Sequence, residues 1–169
     1  MALAMAGILA PITDAALFVE TTDYSNDGFA PTSLGAFNPA SDAILGTLSP
    51  ADFQDTILVT GTPGAAVSLP FSFQGTAFPG LGFQIYDNAG FGGFIAGGNY
   101  DPASGSGNQT FNFLVPADGN YMMSVSNEGL GSTSYTIGTV PEPSASLLLT
   151  AVVGVSATLR RRKDAPQDR

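Results

Sequence analysis

Apolar side chains occur at every second position in several short segments of this chain. The segments Ala66 to Phe73, Leu81 to Tyr86 and Thr110 to Val115 all show the alternation. Such a pattern predicts β-strands with one face in a core and the other toward solvent. Before Ala145, no stretch has apolar residues spaced as on the buried face of a helix.

Other short apolar runs complete the set of predicted strands, and clusters of Gly, Pro, Asn and Asp separate them. These runs are Leu17 to Val19, a short one near Leu34 to Phe37, Ile44 to Leu48, Phe53 to Val59, Tyr121 to Ser126 and Ser134 to Ile137. The Gly-rich segment from Phe91 to Gly107 is expected to be a long loop or a weak edge strand. Many short strands at this spacing predict an all-β fold, an antiparallel, jelly-roll-like β-sandwich.

The C-terminal end has a different pattern, with 16 uncharged residues from Ser144 to Leu159 followed by the basic cluster Arg160 to Lys163. As a helix this run is about 24 Å long, slightly shorter than the roughly 30 Å hydrocarbon core of a bilayer. We predict a single transmembrane helix over residues 144–159, with residues 164–169 as a cytoplasmic tail and the body outside. The alternative is a buried core helix with a polar end.

The tail resembles a known sorting signal. The sequence Val140-Pro141-Glu142-Pro143, a short apolar helix and a basic cluster are together similar to the PEP-CTERM signal of Gram-negative bacteria. In that family a membrane-embedded transpeptidase, exosortase, recognises the tail and removes the helix near the Pro-Glu-Pro sequence. The protein then passes to the cell surface or the extracellular matrix.

This resemblance implies three partners: exosortase, the inner membrane and an exopolysaccharide. The residues that it implies for sorting recognition are Pro141, Glu142, Pro143, Arg160, Arg161 and Arg162. The six residues from Asp164 to Arg169 depart from the family, which usually stops at or just after the basic cluster.

The N-terminal residues 1–16 are an apolar run of about the length of a signal peptide, with Ala15 and Ala16 as small residues for cleavage. A positive n-region is missing, so the signal either begins further upstream or is weak. The alternative is that these residues form the first strand and coil of the mature domain. The predicted organisation is a signal peptide over 1–16, an exported β-sandwich over 17–140 and the sorting signal over 141–163.

Charges are distributed very unevenly. All five basic residues follow Leu159, whereas ten acidic residues lie between Leu17 and Val140. A body without cations cannot neutralise phosphate, which excludes nucleic acid and anionic membrane surfaces as its partners. The chain has no Cys and no His, so metal ligands in the body would be oxygen atoms, which suit hard cations such as Ca²⁺.

The body shows a second resemblance, from Ile44 to Ile137. The segments that carry it are Leu45 to Leu48, Asp52 to Val59, Gly64 to Leu69, Gly82 to Gly90 and Phe113 to Val125. In this order they are similar to bacterial pre-peptidase C-terminal domains, which are jelly-roll sandwiches. The resemblance implies an accessory or secretion-linked module that is not catalytic.

Candidate metal ligands lie at the ends of predicted strands. Asp52, Asp55, Asp87 and Asp118 all do so, and strand ends can meet at one pole of a sandwich. Clustered carboxylates without a counter-cation attract divalent ions, so these four residues are candidate calcium ligands. The alternative is turn chemistry, in which the Asp side chains hydrogen-bond to their own backbone.

The residues also limit what the protein can do. Without His, Cys or a Lys in the body, no nucleophile–base pair or triad can form, so we expect no catalytic residues and no enzyme. Asp52 and Asp55, three residues apart at a predicted junction of loop and strand, are the carboxylate pair on which the alternative of a hydrolase depends. Phe91, Phe94 and Tyr100 are candidates for an exposed aromatic platform that binds sugar.

We predict a non-catalytic exported protein, structural or polysaccharide-associated. The other alternative is a permanently membrane-anchored carbohydrate-binding domain.

Overall fold

The computed structural model describes residues 15–75, 80–100, 105–127 and 131–140, which form ten β-strands. The strands are β1 (Leu17–Val19), β2 (Thr32–Ala36), β3 (Ala43–Leu48), β4 (Gln54–Thr60), β5 (Ala66–Gly75), β6 (Leu81–Tyr86), β7 (Phe94–Tyr100), β8 (Ser106–Leu114), β9 (Asn120–Asn127) and β10 (Thr133–Gly138). The all-β fold predicted from the alternation is confirmed. In these ranges no helix is long and apolar enough to cross a membrane. The predicted transmembrane helix, and the predicted signal peptide apart from Ala15 and Ala16, lie outside the described residues.

The strands form two five-stranded sheets that pack face to face. Sheet A has the order β1-β3-β10-β5-β8, and sheet B has the order β2-β4-β9-β6-β7. Most neighbours are antiparallel, but β1 pairs with β3 and β2 pairs with β4 in parallel. The expectation of a wholly antiparallel sandwich is therefore wrong at these two edges. The first four strands lie alternately in sheet A and sheet B. In this arrangement β1 and β3 run in the same direction, and so do β2 and β4.

The core lies between the sheets and is built from alternate side chains of the central strands. Phe71 of β5 stacks on Phe83 of β6 with ring centroids 4.3 Å apart, which joins the two sheets. Ile57 and Val59 of β4 are fully buried beside them. Burying each such side chain stabilises the fold by about 1.5–3 kcal/mol, so this apolar face holds the sandwich together.

The Gly-rich segment after Phe91 is more regular than a long loop. Phe94–Tyr100 forms the edge strand β7, which pairs with β6, and β8 starts at Ser106 rather than at the predicted Thr110. The ring of Tyr100 packs against Phe71 and Phe73 at centroid distances of 5.6 and 5.1 Å. Pairing with β6 makes this segment a strand, although its Gly-rich composition does not predict one.

Candidate functional site

Four carboxylates converge at one end of the sandwich. Glu20 and Asp23 follow β1, Asp52 precedes β4, and Asp55 lies within β4. One oxygen from each side chain lies within 4.8 Å of the others. Two ligands on opposite sides of a calcium ion are about 5 Å apart, twice the ordinary Ca–O distance. These four residues, which we call the acidic cluster, therefore have the spacing of one coordination shell.

Asp55 is the buried member of the acidic cluster. Its side chain is 0% exposed, and its Oδ2 accepts a 2.7 Å hydrogen bond from the hydroxyl of Tyr135 on β10. The other oxygen, Oδ1, is buried and has no hydrogen-bond partner among the described residues. A buried polar atom left unpaired costs about 1–3 kcal/mol, and more when it is charged. This unpaired oxygen makes the acidic cluster a candidate cation site.

Burial and, to a smaller extent, like charges shift the pKa values of two members of the acidic cluster. Burial raises the pKa of Asp55 to about 8; the Tyr135 hydrogen bond opposes this shift, and the charges of the other three carboxylates add to it. Burial and the neighbouring Asp23 raise the pKa of Asp52 to about 6. No Lys, Arg or His occurs before Arg160, so the body itself supplies no compensating cation. A divalent ion would reverse these shifts by favouring the ionised carboxylates.

Neighbouring backbone and side-chain groups hold the acidic cluster in place. Glu20 Oε2 accepts hydrogen bonds from the backbone N–H and the hydroxyl of Thr47 on β3, at 2.7 and 3.2 Å. In the orientation of the Asn26 side-chain amide that satisfies both its oxygen and its nitrogen, the nitrogen donates to Asp52 Oδ1 at 3.0 Å and also to the carbonyl of Gln54. The loop after β1 is thus fixed against both β3 and the start of β4.

Of the four predicted calcium ligands, Asp52 and Asp55 lie in the acidic cluster, whereas Asp87 and Asp118 do not. Asp87 Oδ1 accepts a 2.6 Å hydrogen bond from the backbone N–H of Gly93 in the β6–β7 turn. Asp118 Oδ1 accepts one of 3.1 Å from the backbone N–H of Asn120, which lowers the pKa of Asp118. These two residues follow the turn-chemistry alternative. The predicted sorting residues, in segments 141–143 and 160–162, lie outside the described residues.

Sequence reasoning did not identify Glu20 and Asp23. They reach Asp52 and Asp55 because β1 runs parallel to β3 at the edge of sheet A, which brings the end of β1 beside the β3–β4 turn. The sequence contains one weak indication of their role. Glu20 directly follows a predicted strand, and the four candidate aspartates also lie at the ends of predicted strands.

Comparison with known proteins finds similar solved structures only at low sequence identity. No protein-family model matches it, and no curated protein matches it. It is similar to the pre-peptidase C-terminal domain of a collagenase from Bacillus anthracis, with 16% identity over 63% of this chain and 91% of that one and a TM-score of 0.45. This is the class of domain that the body resembles in sequence.

Two further solved structures are less similar. One is a β-glucosidase from Paenibacillus barengoltzii, at 8% identity over 77% of this chain and 14% of that one, with a TM-score of 0.37. The other is PliG from Aeromonas hydrophila, a periplasmic inhibitor of g-type lysozyme, at 14% identity over 72% and 97% of the chains, with a TM-score of 0.32. All three TM-scores are below 0.5, so function is inferred from the residues of this chain.

Proposed function

We propose that this chain is an exported, non-catalytic β-sandwich protein of the bacterial cell surface or extracellular matrix, stabilised by calcium at the acidic cluster. One observation carries the calcium site: the buried Oδ1 of Asp55, which has no hydrogen-bond partner in the described part of the chain, belongs to a group of four carboxylates with oxygens within 4.8 Å of one another. Carboxylate oxygens at this spacing are the ligands that hard cations prefer.

The proposed role of calcium is structural. An ion bound by Glu20 and Asp23 after β1, by Asp52 before β4 and by Asp55 within β4 would fasten the first loop to β4. Waters would complete its six to eight ligands. In a body that contains no Lys or Arg, the ion would also relieve repulsion among the carboxylates.

The same geometry argues against a hydrolase. A pKa of about 8 would suit a general acid, but the side chain of Asp55 is fully buried and cannot contact a substrate. Without Asp55, the carboxylate pair on which the hydrolase alternative depends is lost. We therefore infer that the body is not catalytic.

Export and sorting are inferred from the sequence of the tail. Pro141-Glu142-Pro143, the uncharged run and the basic cluster are similar to a signal that exosortase processes at the inner membrane. The second candidate, a permanently anchored domain, would retain this tail in the mature protein.

Thermal melting of the full-length chain in detergent micelles tests the calcium site. Calcium at 100-fold excess over its Kd stabilises by about 2.7 kcal/mol, which raises the Tm by roughly 5–10 °C. NaCl at matched ionic strength is the reference, since screening of repulsion also stabilises. We expect Asp52→Asn to abolish the excess shift and Asp118→Asn to retain it. If CaCl₂ raises the Tm no more than NaCl does, the site is absent.

A further inference from the structure

Four aromatic rings form a group on the outer face of sheet B, away from the core. Tyr86 points outward because it alternates with the buried Ile85 along β6. Phe91 packs edge-on against Tyr86 with ring centroids 5.2 Å apart, and Phe94 does so at 6.1 Å. Phe29 continues the group through an edge contact with Phe91 at 6.4 Å. We call these four residues the aromatic face.

Three of the four rings of the aromatic face are open to solvent, whereas Tyr86 is half-buried. Phe29 is 79% exposed, Phe94 is 62% exposed and Phe91 is 39% exposed. Single exposed apolar residues are ordinary, but neighbouring exposed rings mark a surface that binds something. Each ring would stabilise the fold by about 1.5–3 kcal/mol if it were buried in the core. The exposed rings do not contribute this stabilisation.

The backbone holds Phe91 in place. Its φ of 53° is the only positive value at a non-glycine residue in the described ranges, a conformation that costs about 1–3 kcal/mol. Gly90 N–H donates to the carbonyl of Gly28 at 2.6 Å, which ties the β6–β7 turn to the loop that carries Phe29. A Cβ on Gly28 would overlap the Phe91 ring. The fold therefore positions this ring at the surface at some cost in stability.

Polar groups lie directly beside the aromatic face. A shallow cavity of about 130 Å³ is lined by Gln84, Phe94, Gly97, Gly98 and Asn99. The Tyr86 hydroxyl donates to Gln84 Oε1 at 2.7 Å, which orients the amide so that its nitrogen can donate to a ligand. From Phe94 to Asn99 the strand extends over roughly 16 Å, so an elongated ligand can contact both the rings and the amides.

We propose that the aromatic face and the adjoining cavity bind an uncharged polysaccharide. A sugar ring presents an apolar C–H face that stacks on an aromatic ring, and its hydroxyl groups pair with amide donors and acceptors. The charged residues nearest in sequence to the exposed rings, Asp27 and Asp87, are both acidic, and no Lys, Arg or His lies in the body. Nucleic acid, anionic lipid and anionic polysaccharide are therefore repelled, whereas a neutral sugar chain is not.

This inference deepens the matrix role proposed above by naming its ligand class, but the binding itself depends on neither calcium nor sorting. Affinity electrophoresis of the full-length chain tests it, in gels that contain glucomannan, xyloglucan or laminarin, with alginate as the anionic reference. A polyoxyethylene detergent avoids the sugar head groups that would compete. We expect retardation by at least one neutral polysaccharide and none by alginate.

Variants locate the site. Phe94→Ala, Phe29→Ala and Gln84→Leu are each expected to lower affinity by about tenfold, because each removes a contact with the sugar. Leu114→Ala is the matched control, since Leu114 is 65% exposed but lies on sheet A. Asp52→Asn should retain the retardation, which separates failure of the calcium site from failure of this one.

Three outcomes would overturn the proposal. The first is no retardation by any of the neutral polysaccharides, and the second is an equal loss of affinity in Leu114→Ala. The third is a different occupant: either self-association in sedimentation or binding to zwitterionic vesicles, abolished by Phe94→Ala, would assign the aromatic face to a second copy or to a membrane.

Discussion

The hydroxyl of Tyr135 donates a 2.7 Å hydrogen bond to Oδ2 of Asp55 and thereby joins the two sheets through the core. Burial, reinforced by the neighbouring Asp55, raises the pKa of Tyr135 well above its ordinary value, so the hydroxyl remains a donor over the whole useful pH range. The bond fixes one oxygen of the carboxylate and leaves Oδ1 without a partner among the described residues. Tyr135 thus positions the ligand oxygen of the proposed calcium site.

Removing this hydroxyl should destabilise the protein. Tyr135→Phe is expected to lower the free energy of unfolding by about 1–3 kcal/mol, because it leaves Oδ2 of the buried Asp55 carboxyl group without its partner. Denaturant unfolding with and without calcium measures the change. Tyr121→Phe is the control, because the Tyr121 hydroxyl is buried without a partner in the described part of the chain, so its removal should not lower stability. Equal losses in the two variants would contradict the assigned role of the bond.

Gly46 provides the space for the Tyr135 ring. The two residues pair across β3 and β10, and a Cβ on Gly46 would overlap the ring and its hydroxyl. Gly46→Ala should therefore destabilise by about 1–3 kcal/mol, as overpacking of a core does, and should also weaken calcium binding.

The control for this variant is Gly80→Ala, since a Cβ on Gly80 meets no atom of the described residues within 4 Å. Its stability should change by no more than about 0.5 kcal/mol. If Gly46→Ala unfolds at the same denaturant concentration as Gly80→Ala, the Tyr135 ring can move to another position without loss of stability, and the predicted overpacking does not occur.

The strands that could be predicted from sequence are those whose two faces differ in polarity. The alternation in β5 and β6 identifies their core positions directly, as the buried Phe71 and Phe83 confirm. The parallel pairing of β1 with β3 depends on how the chain crosses between the sheets, for which a single strand carries no local signal. For this reason the contribution of Glu20 could not be predicted.

Local sequence also does not distinguish an aspartate of the acidic cluster from an aspartate in a turn. Asp55 and Asp118 carry similar local signals, because each lies near the start of a strand. Their surroundings differ only in three dimensions: Asp55 faces the core beneath other carboxylates, whereas Asp118 bonds to its own turn. The role of Tyr135 could not be predicted from the sequence, because a tyrosine in a strand with alternating polarity is usually an ordinary core residue.

Calcium-free protein should lose stability as the pH rises from about 4 to about 8. Burial raises the pKa of Asp55 from 3.8, the value for the unfolded chain, to about 8. The folded state therefore binds this proton more tightly, and its contribution is fully present below about pH 4 and lost as the pH passes through 8. Melting curves in calcium-free buffers between these pH values measure the decline.

Two controls accompany the pH series. Asp55→Asn has no proton to lose at this position and should show a much flatter dependence. Saturating calcium should reverse the trend for the unmodified chain, because the ion binds the ionised carboxylates and competes with protons. A calcium-free protein that is equally stable at pH 4 and pH 8 would show that Asp55 ionises without cost.

Processing of the tail distinguishes the two proposed fates of the protein. The Pro141-Glu142-Pro143 sequence precedes the uncharged run as a processing signal would, so exosortase is expected to separate the body from residues 144–159. Mass spectrometry of protein released from cells with an active exosortase should then find peptides of the body and none from Leu147 to Leu159. Without the enzyme, the tail should stay attached and the protein should stay in the membrane fraction. Glu142→Ala should reproduce that result, whereas Asp164→Asn, beyond the basic cluster, should not. Recovery of the intact tail from most released molecules would refute processing and favour a permanently anchored domain.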